Sequence, residues 1–289
     1  MNSVIEEKDC THPTRFLWLP RLQVNRNSVK SALGRGLRPI GEPRPDDPTS
    51  SNYDGRFDSV LLNDGDRRNV LDRYRYWTVA AIKADLDARG RHDFEVAVEN
   101  WTHDFNIGSM VRTANAFQAK RVHIVGPHKW NRKRVDDRTV PARRTPPSIA
   151  ELVESWHHRI AGEIAYERAK AGAAAIHAHD VAVDGDNKHL HELLAEIDAC
   201  DARIKELQAA RVIALDIIPG AVPMEAYAFP KRCLLLFGAE GPGLSEKALA
   251  LADDVVYISQ FGSVRSINAG AAAAVAMHAW IAQHAVSGV

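Results

Sequence analysis

Three short segments of the chain place amide, guanidinium, carboxylate and hydroxyl groups beside glycine turns. The first reads Asn106-Ile-Gly-Ser-Met-Val-Arg112-Thr-Ala and follows an apolar run at 94–98. An Asn with Gly close behind lets a strand turn sharply into a helix, and helix geometry then carries Arg112 about a turn and a half from the helix start. Amide and guanidinium would share one mouth, although a capping Asn followed by an arginine facing water gives the same pattern. The second segment, Leu236-Phe237-Gly238-Ala-Glu240-Gly241-Pro242-Gly243-Leu244-Ser245, continues the apolar run 233–237 into a loop of bare backbone. Such a loop exposes N–H and C=O groups at the carboxyl edge of an α/β sheet, where a nucleoside-like ligand fits. Neither G-x-G-x-x-G nor G-x-x-x-x-G-K-[ST] spacing is present, so a dinucleotide fold or P-loop is not indicated. Ser245 could simply cap the helix that follows. The third segment, Ile258-Ser-Gln-Phe-Gly262-Ser-Val-Arg265-Ser266-Ile267-Asn268, opens an alanine-rich stretch. Ser266 or Asn268 can cap a helix there, and the small side chains behind admit close approach of other backbone.

The elements that must position these segments alternate. Strands are expected at 94–98, 122–125, 212–217, 233–237 and 255–258, with a further one at 173–176. Helices are expected at 107–117, 149–171, 187–210, 244–252 and 268–285. This alternation argues for an α/β fold whose parallel sheet is covered on both faces. Ahead of it, residues 66–89 place Val70, Tyr74, Trp77, Ala81 and Ala84 at helical spacing and predict one or two helices. Residues 39–55, dense in Pro, Gly, Ser and Asp, read as a linker or mobile loop after an N-terminal arm. The domain reading is therefore an extension at 1–90 and a main domain at 91–289, with an insertion within 128–210. No internal repeat is visible.

At 289 residues, 45% apolar and 26% charged, the chain is long and apolar enough for one large domain with an extension, which excludes wholesale disorder and disulfide mini-proteins. Cys10, Cys200 and Cys233 are odd in number and far apart, which suggests no disulfide framework or cysteine zinc site and fits a reducing cytoplasm. The acidic first residues do not resemble a secretory signal, and the apolar stretch 269–286 is mostly alanine with His278, Gln283 and His284, a poor membrane span. Net charge is zero, yet its distribution is uneven. Residues 11–45 carry seven basic side chains, Arg15 and Arg21 among them, against Glu42 alone. A second cluster at 120–144 holds nine, including Lys129, Arg132, Lys133 and Arg134, beside Trp130. Each could be a solvated face, but one-sign clustering beside an aromatic favours RNA or DNA contact. His177-x-His179 and His189-x-His191, with acids between them, raise a metal-dependent hydrolase as a rival, against which the acidic, loop-like setting makes solvated histidines the expected case.

Taken together and in this order, the three segments resemble the motifs of the SpoU (TrmH-type) RNA ribose 2′-O-methyltransferases of the SPOUT superfamily. The resemblance covers roughly 94–126 and 212–286, and reaches neither the arm nor 128–210. It implies a C-terminal trefoil knot, a homodimer, S-adenosylmethionine as methyl donor and an RNA ribose, in tRNA or rRNA, as acceptor. By position it assigns catalytic roles to Asn106, Arg112, Glu240, Ser266 and Asn268. Donor contacts would fall on Gly238, Ile258 and Ile267, with Leu236 and Gly243 nearby, and no metal is required. The third motif reads Ser-Ile-Asn where Ser-Leu-Asn is usual, a swap of similar volume. A guanidinium stays protonated at physiological pH, so Arg112 is expected to grip phosphate and orient the 2′-oxygen before it serves as a base. The alternatives are a base methyltransferase of the same fold and an RNA-binding protein without catalysis.

Overall fold

The computed structural model describes residues 44–99, 105–126, 142–144, 148–184, 186–238, 243–264 and 266–285. Glu240 and the expected RNA contacts Arg15, Arg21, Lys129, Arg132, Lys133 and Arg134 lie outside them. The chain divides into two units, Met1–Thr78 and Val79–Val289.

In the first unit, local polar side chains organise the backbone. Residues 44–55, expected as linker, form turns in which the Asp47 carboxylate accepts from the Thr49 N–H at 2.9 Å and Asp54 pairs with Arg56 at 2.6 Å. Helix α1 (Ser59–Asp64) is capped by Asp58, whose side chain accepts from the N–H groups of Val60 and Leu61. The helical spacing from 66 onward yields only a 3₁₀ turn, Asp72–Tyr74, before helix α2 (Val79–Ala88) opens the second unit. The Asp66 carboxylate is the reason: it accepts from the backbone N–H groups of Arg68 and Tyr76 as well as from the Arg68 guanidinium. A side chain that captures backbone donors in this way competes with the helix.

The second unit is built on a parallel sheet. Its strands are β1 (His92–Glu99), β2 (Ala119–Val125), β3 (Ala142–Arg144), β4 (Arg211–Leu215), β5 (Val222–Pro223), β6 (Cys233–Phe237) and β7 (Asp254–Tyr257). Their order is β3-β2-β1-β6-β4-β7-β5, and every pairing is parallel. The central strand β6, Cys-Leu-Leu-Leu-Phe, is buried at all five positions, as a strand covered on both faces must be. Even-numbered residues of β1 (Phe94, Val96, Val98) share a core with helices α3 (Phe105–Ala116) and α7 (Ala269–His284). Ala97, Leu234 and Leu236 face the opposite layer, made by helix α4 (Ile149–Asp184) and helix α6 (Glu246–Leu251). Chain order turns back at β1, and β6 fills the gap between β1 and β4, so the loop after β6 emerges at the topological switch point.

The strand expected at 173–176 does not form. Those residues continue α4, a 36-residue helix of about 54 Å, because Ala-Lys-Ala-Gly-Ala-Ala-Ala offers the strongest helix formers and little β-branching. Its first half seats Ile149, Leu152, Val153, Trp156 and Ile160 on the sheet. Its second half packs Ala174, Ala178 and Val181 against Leu193 of helix α5 (Asn187–Gln208). His177 and His179 are consequently helical and diverge rather than sharing a strand face. His177 meets His189 edge-on at 5.2 Å, and no metal-holding group of three or more His, Cys, Asp or Glu occurs among the described residues. Cys200 and Cys233 are buried and form no disulfide. No helix among the described residues is long and apolar enough to cross a membrane.

Candidate functional site

The three motifs reach the same edge of the sheet. Each follows the carboxyl end of a parallel strand: Asn106 after β1, Gly238 after β6, and Ile258 to Asn268 after β7. Asn106 is buried, and its side-chain oxygen accepts from the Asn268 amide at 3.0 Å. The Asn268 oxygen in turn accepts from the N–H groups of Gly270 and Ala271, so Asn268 rather than Ser266 caps α7. Close packing of α3 on α7 explains the small residues here. A Cβ on Gly270 would stand 3.2 Å from that of Ser109 and 3.3 Å from the Asn106 amide oxygen. Asn106 and Asn268 are therefore joined directly, whereas Arg112, farther along α3, and Ser266 are both exposed.

The described ends of the second motif pinch together. A Cβ on Gly238 would sit 2.1 Å from the carbonyl carbon of Gly243 and 2.3 Å from the Leu244 nitrogen, so no other residue fits there without opening the loop. Gly243 has a φ of 75°, a conformation that side chains disfavour. Leu236 is fully buried beneath the pinch, while Ile258 is half-buried and Ile267 is partly exposed. Ser245 caps α6 by accepting from the Ala248 N–H.

Two carboxylates escaped the sequence reading. Glu99, the last residue of β1, is 2% exposed and accepts from both the N–H and the hydroxyl of Ser245 at 2.8 Å. Asp216, directly after β4, accepts from the Leu244 N–H at 3.2 Å. Their signal was an acid closing an apolar run, in Val-Ala-Val-Glu99 and Val-Ile-Ala-Leu-Asp216. Gln260 in the third motif also escaped notice; its side-chain oxygen is enclosed without a partner among the described residues.

The opposite edge has a different chemistry. Arg232, fully buried, pairs with Asp93 and Glu95 at 3.0 Å and Glu163 at 3.2 Å. Glu95 also accepts from His123 at 2.6 Å and pairs with Arg159 at 3.0 Å. Burial works to raise the Glu95 carboxyl, but the His123 hydrogen bond and the Arg232 charge outweigh it and hold the group at about 2. Burial dominates at His123 and pushes the imidazole down. A cavity of about 520 Å³ opens beside this network, lined by Arg91, His92, Asp93, Lys120, Arg203 and Lys231 among others. It lies at the amino ends of the strands, away from all three motifs.

Comparison with known proteins reaches the second and third motifs. Residues 161–278 match the SpoU rRNA Methylase family. The match includes 161–210, which the motif resemblance left out, and stops short of Asn106 and Arg112 on the amino-terminal side. The chain is 24% identical over 198 residues to the tRNA (guanosine(18)-2'-O)-methyltransferase of Escherichia coli, an alignment that covers 67% of this chain and 65% of that enzyme. The enzyme of the same name from Thermus thermophilus is 51% identical over 47 residues, 16% of this chain and 24% of its own. Among solved structures, the SpoU methyltransferase AviRb from Streptomyces viridochromogenes, in complex with AdoMet, aligns with a TM-score of 0.45 and 24% identity over 69% of this chain and 60% of that one. The matched stretch, 161–278, holds motifs two and three and is similar to the SpoU rRNA Methylase family.

Proposed function

We propose that the protein is an S-adenosylmethionine-dependent RNA methyltransferase that modifies a ribose 2′-hydroxyl of tRNA or rRNA. The observation that carries this reading is the Asn106–Asn268 hydrogen bond, which ties the first motif to the third at the edge where the Gly238–Gly243 pinch lies. The ribose-directed names of the E. coli and Thermus relatives favour this activity over base methylation. The residues present suit the methyl donor. Gly238 and Gly243 bring bare backbone together, Leu236 and Ile258 supply an apolar wall, and the Gln260 oxygen is an enclosed acceptor without a partner among the described residues. Gly238, Gly243, Ile258 and Ile267 would hold the donor largely through main chain.

When bound, S-adenosylmethionine supplies an electrophilic methyl group whose leaving group is neutral, so the protein chiefly aligns atoms and assists proton removal. Arg112, exposed on α3, would grip the phosphate next to the target ribose and orient the 2′-oxygen. Asn106 spends its oxygen on Asn268 and so fixes α3 against the α7 cap. Ser266, an exposed residue, and Glu240 complete the assigned set. We assign RNA gripping outside the site to the basic arm and the 120–144 cluster, with residues 1–90 as the binding extension. A C-terminal trefoil knot, a homodimer and a cytoplasmic location complete the proposal. Phe261, 97% exposed on the third-motif turn, with the exposed Val264 three residues on, offers a second copy an apolar contact.

The test is Arg112→Ala. The variant should fold and bind the donor as the wild type does, yet lose RNA methylation by about two orders of magnitude or more. Methylation at near wild-type rate would remove the assignment.

A further inference from the structure

We propose that Glu99 and Asp216 are positioning residues that hold the donor pocket in shape, a role that rests on the methyltransferase reading above. The sheet order is what makes the arrangement informative. The second-motif loop leaves the central strand β6, and Glu99 and Asp216 stand at the ends of its two neighbours, β1 and β4. The loop's return, Gly243-Leu244-Ser245, is gripped from both sides. Glu99 spends one oxygen on the Ser245 N–H and the other on its hydroxyl, each at 2.8 Å. Asp216 holds the Leu244 N–H with one oxygen and the Ile217 N–H with the other.

A carboxylate only 2% exposed is costly to bury, and Glu99 sits where both its oxygens meet a donor. Remove either acid and a backbone N–H at the pinch loses its acceptor. The return segment can then move away from Gly238, whose hydrogen lies against the Gly243 carbonyl carbon because nothing larger fits. The acids need not touch the donor. They act through the backbone of residues 243–245, and Gly243 itself is shaped to them: a Cβ there would stand 3.0 Å from an Asp216 oxygen. Donor affinity, not RNA affinity, is the quantity they set.

The experiment is calorimetric titration of S-adenosylmethionine into the full-length wild-type, Glu99→Ala, Glu99→Gln, Asp216→Ala and Ser245→Ala proteins, with RNA affinity and thermal midpoint measured on each. Glu99→Ala should raise the donor Kd by about ten-fold or more, and Asp216→Ala by roughly three- to ten-fold, with RNA Kd within about two-fold. Ser245→Ala, which keeps the backbone bond and loses the hydroxyl, should give a smaller rise. Glu99→Gln offers one acceptor and one donor of the same reach, and should stay within about three-fold of wild type. Donor affinity unchanged in the alanine variants overturns the proposal, as does a parallel fall of donor and RNA affinity. If Glu99→Ala fails to fold, Asp216→Ala and Ser245→Ala decide by the same criteria. Wild-type protein that does not bind the donor overturns the methyltransferase reading itself, a result distinct from either.

Discussion

The two edges of one sheet are built by opposite rules. At the amino ends of the strands, charges are neutralised inside the fold: Arg232, Glu95 and Asp93 are each tied to more than one partner, and the cavity there is rimmed by the same network. At the carboxyl ends, side chains are removed rather than paired. Gly238, Gly243 and Gly270 let backbone meet backbone, and the polar groups that remain either hold that backbone, as Glu99 and Asn268 do, or are left exposed, as Arg112 and Ser266 are. Charge pairing is concentrated at one edge and bare backbone at the other, the latter on the side where open α/β sheets bind ligands.

The contrast can be broken most severely at Arg232. Arg232→Met leaves Asp93, Glu95 and Glu163 without their shared cation and should cost about 3–5 kcal/mol in urea unfolding, while donor affinity of the folded protein stays near wild type. A loss below about 1 kcal/mol would deny the network its structural role. Acid probes the same edge. Glu95 titrates at about 2 when folded against an ordinary 4.5, so the stability it contributes is complete above pH 4.5 and is lost as pH falls toward 2, on the order of 3 kcal/mol. His123 is depressed from 6.5, so its protonation already opposes folding as pH drops below that value. Urea midpoints should therefore decline from pH 6.5 downward and more steeply below 4.5; a flat profile would contradict the pairing.

At the carboxyl edge, Gly238→Ala should weaken donor binding by about ten-fold or more with little change in thermal midpoint, because its Cβ would meet the Gly243 backbone. Gly172→Ala, in the middle of α4 with nothing near its Cβ, should do the reverse: a gain of about 0.5–1 kcal/mol in stability and no effect on donor binding. Equal effects of the two alanines on donor affinity would erase the distinction between a glycine kept for the site and one that merely sits in a helix.

Much of this organisation was legible in the residues. The buried run 233–237 appears as a strand with those bounds, and helices at 107–117 and 268–285 begin and end within about two residues of expectation, since apolar runs and caps are local signals. A cap at Ser266 or Asn268 was likewise readable before the alanine run, and the structure selects Asn268. The failures have physical causes. The run Ala173-Ala-Ala-Ile176 has the length of a short apolar strand, but its alanines favour the helix that α5 then packs against. Of the one or two helices expected within 66–89, one forms at Val79–Ala88, while the part from Val70 to Trp77 yields only a 3₁₀ turn because the Asp66 carboxylate takes the N–H groups of Arg68 and Tyr76. Glu99 and Asp216 went unnoticed because their partners lie 146 and 28 residues away, and only strand order brings them to one loop.

The central claim, ribose methylation at the carboxyl edge, is tested most directly by identifying the methylated product. Purified protein would be incubated with methyl-labelled S-adenosylmethionine and unmodified tRNA or rRNA, and the RNA digested to nucleosides. Label in a 2′-O-methylnucleoside, abolished by Arg112→Ala, is the predicted result. Label on a base, or none in either RNA, would contradict it.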